Sequence, residues 1–303
     1  MFQSYLYYTS MKRVLVIGPN SFIGSSIVGH LKSFYSDKFE ICVTRRPNAH
    51  LPVFMNDLNI IDVEDNGRTL NATGKWNYFD YVIVCSTLYS KKVEDIQKIN
   101  DVNIDFLSNI LFSSNLKYNC LIYLNSFMGM EGYDWSYKSV YALSKTYTSK
   151  VSKLFCQKMN IRFINLYLFD VMGPHDTRNK FPNVLREAIK RKETVDASGG
   201  DQLIFPIHIK DLINIIVEIF ENDSIVGDFQ IRSPKGITLR EFSELYFKTK
   251  GCSTTINWGF HPYFGDEMFV VPQEPDIYVP KSGFKSIHEI IEELVKLEGL
   301  TSE

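Results

Sequence analysis

Two hydroxyl groups and an amine in the middle of the chain are spaced for proton transfer. The apolar run "CLIYLN" ends in Ser126, and fifteen residues later stands "YALSK", Tyr141 to Lys145. Positions i and i+4 of a helix share a face, so the Tyr141 phenol and the Lys145 ammonium are expected to meet in one cleft. A free phenol titrates near ~10 and a neighbouring ammonium favours the phenolate, each unit of lowering being worth ~1.4 kcal/mol between the two forms. Such a tyrosine exchanges a proton near neutrality, and a serine ending the adjacent strand orients the same substrate oxygen. Tyr-x-x-x-Lys also occurs at Tyr8/Lys12 and Tyr246/Lys250. Only the middle copy follows a strand that ends in a hydroxyl residue and lies downstream of a glycine loop.

That loop is "VLVIGPNSFIG", Val14 to Gly24. A buried strand that turns straight into a helix aims free backbone N–H groups and the positive end of the helix dipole at an anion. Gly18 suits the turn, and Gly24 lets the helix pack closely. Ser21 stands where many such loops carry a third glycine; a phosphate contact there requires unstrained backbone and a hydroxyl turned to the phosphate oxygen. After the second strand comes Thr44-Arg45-Arg46. An acid at this strand end bonds a ribose 2′-hydroxyl, whereas an arginine accommodates a 2′-phosphate, so two arginines select NADP(H).

The elements that must position these groups alternate through the first half. Strands are expected at "RVLVIG", "FEICVT", "PVFM", "YVIVCS", "CLIYLN" and "RFINLYLF", with helices over 21–34, 93–113 and 137–159. This is the pattern of an α/β, doubly wound parallel sheet of Rossmann type, carrying a smaller C-terminal substrate-binding region. The expected boundaries are a dinucleotide-binding domain over 1–170, with 203–232 returning to it, and a substrate region over 171–202 and 233–303. Ligands of such sheets bind beyond the carboxyl ends of the strands.

Composition narrows the class further. A net charge of −2 with scattered Lys and Arg gives no footprint for nucleic acid or an anionic membrane. The longest stretch without Asp, Glu, Lys or Arg, Val14 to Leu31, contains three glycines and a proline and is no membrane span. Cys42, Cys85, Cys120, Cys156 and Cys252 are odd in number and far apart, which points to a reducing cytoplasm and to neither disulfides nor zinc. The six histidines show no metal spacing. The first ten residues lack the make-up of a signal peptide and read as a loose extension.

Gly18-x-x-Ser21-x-x-Gly24, Asp57-Leu58, Asn103, Ser126, Tyr141/Lys145 and Gly173-Pro174 occur in the order seen in the extended short-chain dehydrogenases/reductases that act on nucleotide sugars. The chain from Met11 onward resembles that family, and its C-terminal half is similar to bacterial reductases making 6-deoxy or 3,6-dideoxy sugars. The resemblance implies a homodimer paired through 93–113 and 137–159, and a nicotinamide cofactor. It implies Tyr141 as acid/base, Lys145 on the nicotinamide ribose, Ser126 on the sugar carbonyl and Asp57 near the adenine. The implied cofactor set is Gly18, Asn20, Ser21, Phe22, Ile23, Gly24, Arg45, Arg46, Asp57, Leu58, Cys85 and Ser86, with Tyr141 and Lys145. Ser126, Phe127, Asp170, Arg178, Lys180 and Arg232 form the substrate set. Four positions depart from the family: Tyr167 for Arg, Asp170 for Asn, and Ile204-Phe205 for Arg-Asp. Loss of that Arg leaves the substrate diphosphate to Arg178, Lys180 or Arg232. The activity implied is NADPH-dependent reduction of a nucleotide-linked keto-sugar, with a C4 epimerase and a non-catalytic NADP sensor as alternatives. A dehydratase of this family carries Asp-Glu where Phe127 and Met128 stand.

Overall fold

The computed structural model describes residues 11–72, 74–90, 92–133, 138–265 and 267–300. The ten-residue extension, with Tyr8, and Tyr137 lie outside them. In chain order come β1 (Lys12–Ile17), α1 (Phe22–Phe34), β2 (Phe39–Arg45), β3 (Asn59–Glu64), β4 (Thr69–Leu70), β5 (Tyr78–Val84), α2 (Ile96–Asn100), α3 (Phe106–Leu111), β6 (Lys117–Ser126), α4 (Val140–Met159) and β7 (Arg162–Leu168). There follow β8 (Asp170–Met172), α5 (Phe181–Arg191), β9 (Val195–Ala197), β10 (Leu203–Ile204), β11 (Pro206–His208), α6 (Ile209–Glu221), β12 (Gly227–Ile231), β13 (Ile237–Thr238), α7 (Leu239–Lys250), β14 (Ile256–Trp258) and α8 (Ile287–Leu300).

Eight strands form one Rossmann-like sheet in the order β12-β7-β6-β5-β1-β2-β3-β4. Its pairings are parallel except β3 with β4. Both faces are covered, which is why β1 is an unbroken apolar run and not an alternating one. Val14 and Val16 join Ile27 and Leu31 of α1 and Leu212 and Ile216 of α6. Leu15 and Ile17 face the other way, into Leu107 of α3 and Cys156 of α4. Each such side chain contributes about 1.5–3 kcal/mol by leaving water, so these two layers outweigh surface pairs such as Lys38 with Glu221.

Two expected elements differ. "PVFM" is not a strand: Val53–Met55 form one 3-10 turn in which only Met55 is buried, and the third strand begins at Asn59 with Ile61 and Val63 facing inward. Asp57 and Leu58 therefore precede that strand. The expected helix over 93–113 is broken into a 3-10 turn, α2, a π-helical turn at Asp101–Asp105, and α3. The wider turn buries Asn103 toward the carboxyl end of the sheet.

The later elements build a satellite core, with Met172, Leu185, Phe242, Tyr246, Ile290 and Ile291 packed together. A Thr238–Glu241 capping box opens α7 and Gly251, at φ 73°, closes it. His208 is buried; its Nδ1 accepts from Lys210 N, and its Nε2 lies 2.9 Å from Glu293, which docks α8. Burial pushes this imidazole down to about 4, so it is neutral. No local histidine spacing announces a contact made across 85 positions.

Candidate active site

The glycine loop closes on itself. Gly18 has φ +85°, and a Cβ there would stand 2.5 Å from the backbone N of Ser86, so only glycine lets the β1 and β5 loops meet. A side chain at Gly24 would strike the carbonyl of Gly18. Ser21 explains the missing third glycine. Its backbone is extended, at φ −70°, and its hydroxyl donates to Gly18 O while accepting from Gly24 N, both at 3.0 Å. The hydroxyl is the N-cap of α1, with its proton directed to Gly18 O. Phe22 and Ile23 supply first-turn amides that have no i−4 acceptor.

A groove of about 350 Å³ runs beside this loop, lined among others by Asn20, Arg45, Arg46, Ser86 and Phe106. Asn20 holds its rim by donating to His50 O. The two arginines, equivalent in sequence, are not equivalent here. Arg45 makes a bidentate pair with Asp62, at 2.6 and 2.9 Å, across the β2–β3 register. Arg46 meets no carboxylate among the described residues; its guanidinium lies 4.0 Å over the Phe106 ring and reaches Ser86 Oγ at 3.4 Å. The absence of an acid near this pair thus holds in sequence but fails in space. Asp57 is 2.5 Å from Lys32 Nζ on an exposed surface and does not line the groove, and Leu58 packs against the core. The acid of the third strand that meets this pair is Asp62, flanked in sequence by the inward-facing Ile61 and Val63.

The proton-transfer groups lie at the adjoining strand ends. Ser126, last residue of β6, caps the turn Phe127–Gly129, accepting from Met128 N. Tyr141 enters from the first turn of α4, whose N-cap is Ser139. Its hydroxyl lies near those of Ser126 and Thr87, and the Tyr89 ring stands edge-on at 4.9 Å. Burial pushes this phenol up, against the downward pull of the two hydroxyls. Lys145 does not act on it as expected. The Lys145 Nζ donates instead to Leu124 O at 2.8 Å and rests 4.4 Å from the centre of the Tyr123 ring. Burial lowers this ammonium to about 7. Cys85, buried beside it, is a thiol pushed up to about 12 by burial. Thr87, which no motif marks, is held by Asn103: Oδ1 of Asn103 faces Thr87 at 3.4 Å and accepts from Leu88 N, while Nδ2 donates to Leu88 O and to Ser144 Oγ.

A second cavity, of about 150 Å³, opens beyond β7 against Asp170, Gly173, Arg178, Lys180, Phe181 and Ile204. Asp170 accepts from Phe205 N at 2.8 Å, and burial raises its carboxyl. Two of the three cations expected to hold a diphosphate are already engaged. Arg178 makes two bonds to Asp176 and one to Val171 O, lying over the Phe22 ring at 4.7 Å. Arg232 is buried, donating to Gln230 Oε1 and to the carbonyls of Ser233, Pro234 and Pro272 while packing on Phe205. Lys180 lines the cavity, 5.8 Å from the Tyr89 ring. Phe127 stacks on Phe169 at 5.2 Å, making the wall beyond Ser126 apolar.

A Rossmann sheet, a glycine cradle at its carboxyl edge and a Ser–Tyr–Lys set define an oxidoreductase-type enzyme. The chain belongs to the NAD dependent epimerase/dehydratase family, whose model matches residues 14–231. It is 24% identical over 251 residues to CDP-abequose synthase of Salmonella typhimurium, covering 76% of this chain and 78% of that one. Its fold is that of the UDP-N-acetylglucosamine 4-epimerase of Methanobrevibacter ruminantium, with a TM-score of 0.76, 18% identity and coverage of 97% and 100% of the two chains. The UDP-glucose 4-epimerase of Thermus thermophilus, solved with NAD, has a TM-score of 0.72, 19% identity and coverage of 95% and 99%.

Proposed function

We propose that the protein uses NADPH to reduce the keto group, at C4, of a nucleotide-linked 4-keto-6-deoxy sugar. The observation that carries this is the buried Tyr141 hydroxyl, brought by the first turn of α4 beside Ser126 at the end of β6 and Thr87 after β5. A protonated phenol set beside the carbonyl oxygen can give that oxygen its proton, which is what reduction of a carbonyl asks of it. Ser126 orients the carbonyl oxygen, and Tyr141 passes its proton to that oxygen as negative charge develops. A bound reduced nicotinamide supplies the hydride. The cradle of Gly18, Phe22, Ile23 and Gly24 suits its pyrophosphate, since the loop approaches Ser86 too closely for any side chain at Gly18. Arg46 suits a 2′-phosphate better than Arg45, which Asp62 already holds. Lys145 faces the ribose, and Lys180 is the cation left for the substrate diphosphate.

The apolar wall of Phe127, Met128 and Phe169 favours a sugar carrying a methyl group over one with a hydroxymethyl group. With Phe127 and Met128 beyond Ser126, the carboxylate pair of a dehydratase is missing. The likeness to CDP-abequose synthase supports a cytidine diphosphate sugar as first substrate to try. Leu143, Tyr147 and Leu154 are exposed along one side of α4, which supports a homodimer through that helix. Five free cysteines fit a cytoplasmic setting.

Tyr141→Phe tests the reading directly. It should leave NADPH affinity unchanged while cutting turnover ~100-fold or more, the scale of a lost general acid. In the wild type, NADPH absorbance should fall in proportion to keto-sugar added. Interconversion of a plain nucleotide hexose with its C4 epimer, NADPH untouched, would establish the epimerase reading instead, and cofactor binding without any turnover the sensor.

A further inference from the structure

We propose that Tyr123 is a positioning residue of the active site, its ring face holding the Lys145 ammonium against the Leu124 carbonyl. The inference rests on the reading of Lys145 as the cation that faces the cofactor ribose. Lys145 is 2% exposed, and the one hydrogen bond it makes among the described residues goes to Leu124 O. An ammonium taken out of water with one neutral acceptor sheds its proton unless something else favours the charge. The groups around it are the Cys85 thiol just past β5 and the Tyr123 phenol from β6; no carboxylate among the described residues acts on it. Cys85 is protonated and offers no charge. What remains is the negative face of the Tyr123 ring, 4.4 Å away, a geometry in which a desolvated cation gains most.

The surroundings fix both partners. Tyr123 is fully buried in β6, flanked in register by Val84 of β5 and Asn165 of β7. Gly129 passes so close that a Cβ there would lie 3.2 Å from Lys145 Cβ, so the turn after Ser126 closes over the lysine stem. The Tyr123 hydroxyl lies on the side of Thr148, whose own hydroxyl donates to Asn103 O. Ring and hydroxyl are therefore separable by mutation.

The test titrates Lys145 in the full-length protein carrying isotopically labelled lysine, its NMR signal assigned with Lys145→Met. Tyr123→Phe should leave the midpoint and NADPH affinity as in the wild type, since the ring face remains. Pentafluorophenylalanine at 123, which keeps the shape and reverses the ring's polarity, should lower the midpoint by roughly one unit and weaken NADPH binding at neutral pH by about tenfold. Tyr123→Leu should move both the same way. Equal midpoints in the phenyl and fluorinated proteins would overturn the proposal, as would a Tyr123→Phe loss as large as the fluorinated one. The titration needs no substrate, so failure of the reductase reading would show separately, as absent turnover beside an intact ring effect.

Discussion

Two buried cations near the carboxyl end of the sheet, neither facing a carboxylate among the described residues, show opposite uses of the same chemistry. Arg232, just past β12, spends Nε, Nη1 and Nη2 on four neutral acceptors, and in doing so ties the strand to the Pro272 segment. Lys145, under β6, has one carbonyl and a ring face. A cation held on several sides by protein acceptors braces the protein; one held on a single side keeps most of its donors for a ligand. A related contrast divides Arg45, held by Asp62, from Arg46.

The largest effect should come from Lys145 and pH. Its folded pKa lies near 7 against 10.5 for the free side chain, so between those values the unfolded chain binds more protons than the folded one. Stability then rises with pH across that window, and below about 7 the full penalty of the buried charge is present. Lys145→Met removes this slope. Thermal unfolding from pH 6 to 10 should show the variant more stable at the acid end, with the difference shrinking by roughly 3–5 kcal/mol toward the alkaline end. A variant whose curve parallels the wild type would place Lys145 in a solvated state and dissolve the contrast with Arg232.

Arg232→Met should go the other way and show no such pH slope. It leaves the carbonyls of Ser233, Pro234 and Pro272 without their donor, which costs about 2–3 kcal/mol in denaturant unfolding. If that variant folds as well as the wild type but loses affinity for the nucleotide sugar, Arg232 belongs with Lys145 among the ligand-facing groups.

The legibility of the two ends differs for the same reason. The cradle is readable because its parts are local: the Val14–Ile17 run, Gly18, and Gly24 six residues on, inside the helix that follows. The Ser126–Tyr141 pair is readable because strand end and helix face each follow from short spacings. What sequence cannot give is pairing at a distance. "TRR" holds two like arginines, and only the β2–β3 register brings Asp62 to one of them. Asp57 draws attention because Pro52-Val53-Phe54-Met55 looks like a strand, although a single turn buries Met55 and leaves Val53 outside. The expected pull of Lys145 on Tyr141 rests on i, i+4 spacing, which fixes a shared face but not where a four-carbon stem ends. Arg178 and Arg232 read in sequence as candidates for a diphosphate, and most of their acceptors are backbone carbonyls that no residue type announces.

A smaller effect should separate the two arginines of the groove. Arg46→Ala should weaken NADPH binding about tenfold, the scale of one charge-assisted contact, and NADH binding little. Arg45→Ala should change both less, because it first frees Asp62. If Arg45→Ala proves the more damaging to NADPH alone, an arginine held by a carboxylate still reaches the 2′-phosphate, and occupied donors do not exclude a ligand role.

The smallest effect should be at Asp57. Its carboxylate is drawn below the usual range by the Lys32 ammonium, at 2.5 Å, on a surface open to water. Such pairs are screened by salt and contribute little to folding. Asp57→Asn should therefore leave the melting temperature within experimental error at about 0.15 M salt, and NADPH and NADH affinities unchanged by fluorescence titration. Asp62→Asn is the matched control: it releases Arg45 at the groove rim and should alter cofactor affinity where Asp57→Asn does not. A loss of cofactor binding in Asp57→Asn equal to that in Asp62→Asn would mean that the segment between Pro52 and Asn59 folds over the groove when cofactor enters, giving Asp57 a second partner beyond Lys32.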